Sequence, residues 1–266
     1  MPAFTDQLGR TIILDRPPGR IISLVPSQTE LLYDLGANVV GITKFCVHPT
    51  SWFRELPRIG GTKEIHPEKI AALQPDLIIA NKEENNRDQI EALAAQYPVW
   101  ISDIRNLADA LVMIRSVGEL VAQPQKAQSL AANIEKGFNE LRPLTHPLHT
   151  AYFIWRNPWM TVGGDTFIHD MLERCGFTNL FAAQSRYPTV DIATLTNCDL
   201  ILLSSEPYPF RDKHLPEIQT LLPGASIRFV DGELFSWYGS RLLKAPPYFQ
   251  SLQAGCHPEM GKNNEL

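Results

Sequence analysis

Ile21-Ile-Ser-Leu-Val25-Pro26-Ser27-Gln28-Thr29-Glu30-Leu31-Leu32-Tyr33-Asp34-Leu35-Gly36-Ala37-Asn38-Val39-Val40-Gly41-Ile42 reads as strand, helix, strand. The apolar run Ile21–Val25 stops at a proline. Ser27 with Glu30 three residues on is a capping box, which predicts a helix starting there. Leu31, Leu32 and Leu35 supply its apolar stripe, and Gly36 sits where a C-cap glycine belongs. Val39–Ile42 is a second apolar strand. Apolar strands joined through a helix predict parallel pairing and the α/β class.

The same rhythm extends in both directions. Upstream, Thr11–Leu14 is an extended run set off by Pro17-Pro18-Gly19. Downstream come a short helix over Glu68–Leu73, a break at Pro75-Asp76, and a strand at Leu77–Ala80. A helix over Arg87–Ala95 and a strand at Val99–Ile101 follow. From Leu107 to Leu141 the chain turns Ala-, Leu- and Glu-rich, with one proline at 124 and no strand signal. Helical spacing places Leu111, Ile114, Val117, Gly118 and Val121 on one face, so this stretch is expected to be one long connecting helix. Pro143 and Pro147 close it, and Ala151–Trp155 opens a second α/β half. The expected division is therefore an N-terminal lobe over residues 1–106, a connector over 107–142 and a C-terminal lobe over 143–266. An internal repeat supports it: Glu68-Lys-Ile-Ala-Ala-Leu-Gln-Pro-Asp76-Leu-Ile-Ile79 overlays Asp191-Ile-Ala-Thr-Leu-Thr-Asn-Cys-Asp199-Leu-Ile-Leu202 without a gap, at an offset of 123 residues (68 to 191, 76 to 199). That period is far longer than a solenoid's and fits duplicated lobes.

The 266 residues are 44% hydrophobic and 20% charged, enough chain for two lobes with sizeable cores. A net charge of -5 without a basic run argues against a nucleic-acid partner. No apolar stretch approaches the roughly 18 residues of a membrane helix. The start, Met1-Pro2-Ala3-Phe4-Thr5-Asp6, shows no secretion signal. Four cysteines, at 46, 175, 198 and 256, lack Cys-x-x-Cys spacing and are expected to be free thiols, the pairing of Cys175 with Cys256 being left open.

Motifs for catalysis are wanting. Gly60-Gly61-Thr62-Lys63 and Gly163-Gly164-Asp165-Thr166 lack the phosphate-loop spacing, and no dinucleotide fingerprint or Gly-x-Ser-x-Gly elbow occurs. The seven histidines form no pair on one helical face with a carboxylate between them, so no metal site is expected. His146 and His149 flank Pro147 and are expected to face solvent. No enzyme activity and no resident cofactor are expected. Aromatic residues are the conspicuous feature instead. Trp155-Arg156-Asn157-Pro158-Trp159-Met160 follows one strand, Phe235-Ser236-Trp237-Tyr238-Gly239-Ser240-Arg241 follows another at Ile227–Val230, and Phe45 lies past Ile42. Loops beyond the carboxyl ends of parallel strands are where open α/β sheets bind ligands. Trp, Tyr and Phe there can stack on a large flat ligand, with Arg241 or Arg156 pairing an acidic substituent.

The ordered set Arg20–Leu32, Val40–Phe45 with His48-Pro49, Glu68–Ala80, Asn85–Leu93, Asn157-Pro158, Thr161, Gly163, Trp237 and Arg241 resembles the helical-backbone substrate-binding proteins of ABC importers, their cobalamin-binding branch above all. The resemblance runs from about Arg20 to Leu252. It implies two Rossmann-like lobes with parallel sheets joined by one long helix, little hinge motion, and a ligand held in the cleft between the lobes. It implies contacts from Pro26, Phe45, Trp155, Trp159, Trp237 and Arg241 to a corrinoid, with a ferric siderophore or haem as alternatives. Siderophore, haem and corrinoid binders share this framework. The match departs at Asn81, where cobalamin binders carry Trp, and at Phe45, where they carry Tyr. Pro26-Ser27 stands where binders of a bare ion place a first His. Glu68 and Asp191 correspond to the acidic residues that dock on arginines of the membrane permease. A carboxylate at a helix N-terminus is a rigid outward charge suited to that task. The implied partners are a permease and its ATPase, the protein acting as a monomer outside the cytoplasm. A cytoplasmic chelate-handling protein or enzyme on the same fold is the alternative outside the transport class.

Overall fold

The computed structural model describes residues 2–256. In chain order the strands are β1 (Ala3–Thr5), β2 (Thr11–Ile13), β3 (Ile21–Ser23), β4 (Val39–Ile42), β5 (Leu77–Asn81), β6 (Val99–Ser102), β7 (Leu148–Phe153), β8 (Phe177–Asn179), β9 (Leu200–Ser204) and β10 (Ser226–Val230). The helices are α1 (Pro26–Leu35), α2 (Thr50–Glu55), α3 (Pro67–Leu73), α4 (Arg87–Ala94), α5 (Leu107–Leu120), α6 (Pro124–Asn139), α7 (Phe167–Arg174), α8 (Leu215–Leu221), α9 (Glu233–Ser236) and α10 (Ala245–Cys256). Among the described residues these strands make two four-stranded parallel sheets, ordered β4-β3-β5-β6 and β8-β7-β9-β10, and one antiparallel hairpin, β1-β2. The α/β expectation holds, and the two sheets share one strand order. Every residue of β3, β5, β6 and β9 is buried, as parallel strands covered on both faces must be.

The repeat does the same job in each sheet. The Asp76 carboxylate accepts the backbone N–H groups of Gly19 and Arg20 at 2.8 Å each, just before β3. The Asp199 carboxylate accepts the His149 N–H of β7 at 2.8 Å. Each aspartate precedes the third-ranked strand of its sheet and ties down the start of its neighbour. The opening carboxylates differ. Glu68 lies in the first turn of α3, whereas Asp191 caps only the three-residue 3₁₀ turn Ile192–Thr194, accepting from Ala193 N–H at 3.0 Å.

Two local expectations are corrected. The helix after β3 begins at Pro26, not Ser27. Its N-cap is Val25, with no side-chain bond, so Ser27 and Glu30 do not form a capping box. Proline at the first helical position costs no hydrogen bond, because that N–H is unpaired in any helix. Gly36 does end the helix, at φ 81°. The expected single connector helix is two helices. α5 ends at Leu120, Ala122 takes φ 57°, and Pro124 starts α6. Proline cannot donate to the preceding turn and its ring clashes with it, so the helix must break there. The close approach of α5 and α6 is set by Gly118, where a Cβ would lie 2.1 Å from Ala127 Cβ. Gly118→Ala is therefore expected to destabilise the protein by about 1–3 kcal/mol, the usual cost of overpacking, in chemical unfolding. Adding Ala127→Gly should restore most of the loss.

The chain forms two compact units, and their limits differ from the expected 1–106, 107–142 and 143–266. The first unit takes the chain up to Ile104, Ala108–Glu135 and Trp237–Leu242. The second takes Arg105–Leu107, Lys136–Ser236 and the residues from Leu243. The connector is thus mostly part of the first unit, and the chain passes to the second inside α6, at Glu135–Lys136. The return of Trp237–Leu242 to the first unit was not visible in local sequence, since it depends on partners some 200 positions away. The first core is built on β3 and β5, with Ile21, Ile22, Ile78 and Ile79 fully buried. Ala151, Phe153, Ile201, Leu203 and Ile218 centre the second. No described helix is long and apolar enough to cross a membrane.

Candidate functional site

In the first unit, Pro26, Phe45 and Asn81 all stand at the carboxyl end of the sheet. Pro26 is half-buried at the head of α1. Phe45 is 50% exposed, with Lys44 Nζ 5.1 Å from its ring centre. Asn81 is buried and its side chain is committed. Its Nδ2 donates to Ser102 Oγ at 3.0 Å, and its Oδ1 accepts the N–H groups of Glu83 and Glu84. It shapes the turn after β5, a task for which a Trp would lack the acceptor.

Trp237 and Arg241 lie together, but as a buried clasp. Arg241 donates from Nε and Nη2 to the two oxygens of Glu30 at 2.8 and 2.9 Å, and its guanidinium sits 4.7 Å from the Trp237 ring centre. His48 meets the same indole edge-on at 5.5 Å. Tyr238 donates its hydroxyl to Glu84 at 2.7 Å, and Ser240 donates to Asp34. Burial first, then the Glu84 charge, push the Tyr238 hydroxyl well above its ordinary pKa, so it stays a donor. The expected pairing of Arg241 with an acidic ligand group is corrected: Glu30 takes that charge, and Trp237 is 7% exposed. Three carboxylates on the first unit thereby receive three donors from a six-residue segment.

The second unit carries the larger aromatic surface. Past β7 the chain folds into a tight hairpin, with Trp155 bridged to Met160, Asn157 at φ 62° and Asn157-Pro158 in cis. Asparagine tolerates this left-handed conformation. The turn brings up Trp155, 39% exposed, and the half-buried Trp159. The loop after β9 supplies Tyr208 and Phe210. Trp155 meets Tyr208 edge-on at 5.5 Å, Tyr208 meets Phe210 at 4.8 Å, and Phe210 stacks on Trp159 at 5.9 Å with the planes 8° apart. Arg156 lies 5.8 Å from the Trp159 ring centre and forks onto Glu217 Oε2 through Nε and Nη2, at 3.0 and 2.5 Å. That bond to Glu217 is the main cause raising the Arg156 guanidinium above its ordinary pKa. Trp155 and the half-buried Tyr208 and Trp159 present ring surface over Phe210, which is 7% exposed in the core of this unit; edged by one ion pair, it is suited to stacking on a flat, partly apolar ligand. Tyr208, Phe210, His214 and Glu217 were missed from sequence. The rule that pointed to the loop after β7 applies equally after β9 and would have found the first two.

The two carboxylates assigned to docking are accessible. The Glu68 side chain is 70% exposed, 3.5 Å from His66 Nδ1, and Asp191 is exposed. His146 and His149 are exposed, and His257 lies outside the described residues. Cys46, Cys175, Cys198 and Cys256 are free thiols, and burial raises the pKa of each. Among the described residues no group of three or more His, Cys, Asp or Glu is placed to hold a metal ion.

Comparison with known proteins shows the family and the fold. The Vitamin B12-binding protein of Vibrio parahaemolyticus is 28% identical over 199 residues, covering 72% of this chain and 71% of that protein. That of Yersinia pestis is 30% identical over 175 residues, 64% of this chain and 62% of its own length. Among solved structures, the periplasmic Vitamin B12 binding protein BtuF of Vibrio cholerae superposes with a TM-score of 0.74 at 21% identity, covering 90% of this chain and 98% of that one. The periplasmic heme-binding protein BhuT, in complex with two hemes, gives 0.78 at 18% identity, covering 89% and 98%. These two likenesses establish the fold. Residues 21–217 match the family described as periplasmic binding protein, a family of solute-binding proteins rather than enzymes, and the chain belongs to it.

Proposed function

We propose that this protein is the substrate-binding component of an ABC importer, acting outside the cytoplasm, and that it captures a large flat metal chelate, a corrinoid first. The ring surface of Trp155, Tyr208 and Trp159, backed by the buried Phe210, carries this reading. Such a surface gains by stacking on an extended macrocycle and gains nothing from a small hydrated ion. Relatives named for vitamin B12 support the corrinoid over haem or a ferric siderophore. In this proposal Trp155 and Trp159 contact the ligand, and Pro26 and Phe45 remain candidates that the family resemblance implies. Trp237 and Arg241 hold the returning segment. No catalytic step is involved and the chelate is cargo. Equilibrium dialysis of the chain against cyanocobalamin, haemin, a ferric hydroxamate siderophore and molybdate tests the class. Retention of a chelate but not molybdate is expected, and retention of molybdate alone would overturn the reading.

Delivery requires docking on a permease, and Glu68 and Asp191 are proposed as its two charges. Glu68→Ala with Asp191→Asn is expected to reduce uptake through the partner importer while leaving ligand affinity unchanged. Asn is chosen because it keeps the cap on the 3₁₀ turn while removing the charge, whereas Ala would lose both. Undiminished uptake in the double variant would remove the docking claim.

A further inference from the structure

His214 is only 4% exposed, in the 3₁₀ turn that leads into α8. Its Nδ1 accepts the Arg211 backbone N–H at 2.9 Å. A backbone N–H can only donate, so the proton of a neutral ring lies on Nε2, which faces the Tyr208 hydroxyl at 3.3 Å. The imidazole also packs on Tyr208 at 5.5 Å and edge-on to Phe210 at 5.8 Å. Tyr208 leads on to Trp155, and Phe210 to Trp159. One ring thus supports both tryptophans by separate routes.

We propose that neutral His214 positions the Trp155 and Trp159 rings for ligand, and that protonating its imidazole loosens the ring surface and weakens binding. The proposal rests on the reading of that surface as the ligand site. An imidazolium carries N–H on both nitrogens, so Nδ1 could no longer accept from Arg211. The charged neighbours resist the second proton as well. Lys213 on the same turn and Arg156 from the β7 hairpin oppose it. Glu217 of α8 favours it, but that carboxylate is engaged by Arg156; the turn also carries Asp212, and the Tyr208 hydroxyl faces Nε2. Burial first, then Lys213 and Arg156, lower the pKa of His214. The stability contributed by the neutral ring is therefore complete above the unfolded value of about 6.5 and is lost as pH falls from there toward the folded pKa.

The test has two arms on the intact chain. Without ligand, imidazole ¹⁵N signals should show the Nε2–H tautomer and a midpoint below about 6.5, with the Trp155 and Trp159 indole signals moving at that same midpoint. With cyanocobalamin and haemin as probes, the dissociation constant should hold from about pH 8 to near neutrality. It should then rise about fivefold or more by about pH 5, within the ordinary range of coupling between two groups. His214→Gln, a neutral side chain that can accept from Arg211 and donate to Tyr208 but lacks the ring packed on Tyr208 and Phe210, should bind more weakly than wild type at neutral pH and lose the acid response. A wild-type pH profile in His214→Gln, or indole signals that ignore the His214 titration, would overturn the proposal. Failure of both probes at every pH would instead remove the ligand-site reading, and the ligand-free arm would still decide what His214 holds.

Discussion

Glu30→Ala is expected to destabilise the first unit by about 3–5 kcal/mol, the range for removing one partner of a buried ion pair. The Arg241 and Glu30 side chains are 9% and 12% exposed, and both oxygens of the carboxylate are engaged by one guanidinium. Truncation removes the carboxylate that balances that guanidinium in a largely dry site beside the Trp237 face. The cost belongs to the orphaned charge more than to the pair, so a double replacement, Glu30→Leu with Arg241→Met, should fall near wild type. Urea unfolding with amide exchange across α1 and residues 237–242 measures both variants. A loss under about 1 kcal/mol for Glu30→Ala would mean the pair is worth no more than an exposed one. Should the double variant lose as much as the single, the clasp would be held by the specific pairing instead.

Trp155→Ala is expected to weaken binding of a flat chelate about tenfold, and the Trp155→Ala, Trp159→Ala double variant about a hundredfold. A well-stacked aromatic anchor is worth about 1.5 kcal/mol beyond the area it buries, and about 1.4 kcal/mol is a tenfold change. The two positions separate cleanly. Trp155 is 39% exposed, so its removal should leave stability nearly unchanged. Trp159 packs on Phe153 at 5.1 Å as well as on Phe210, so its loss should lower stability together with affinity. Ile13→Ala, at a 56% exposed position on β2, is the control that should change neither. Calorimetric titration and thermal unfolding of the four proteins check this. Equal affinity in wild type and the double variant would place the ligand elsewhere.

Most of the fold is legible in the sequence because its signals are local. Apolar runs at 21–25, 39–42, 77–80 and 99–101 are strands because both sheet faces are covered, and Gly36 stops α1 through its own backbone conformation. The short strands β1 and β8 carry three residues each, too few for a periodic signal. The break in the connector was present as Pro124 but outweighed by the helical composition around it. The site divides in the same way. Trp155 and Trp159 were legible because strand-end loops carry function. Arg241 was expected to meet a ligand, yet its partner is Glu30, and nothing near either residue in sequence announces a pair 211 positions apart. Glu30 was assigned to a cap for the same reason: a helix start read locally takes no account of a segment that returns from the far end of the chain.

The most direct measurement of the central claim is a tryptophan-emission titration of the intact chain with cyanocobalamin, repeated on Trp155→Phe, Trp159→Phe and their double variant. Saturable quenching in wild type is predicted, with the largest share of the quenched emission missing from the double variant. Quenching that saturates equally in all four proteins, or cyanocobalamin that leaves wild-type emission unchanged at every concentration, would contradict a chelate seated on the Trp155–Trp159 surface.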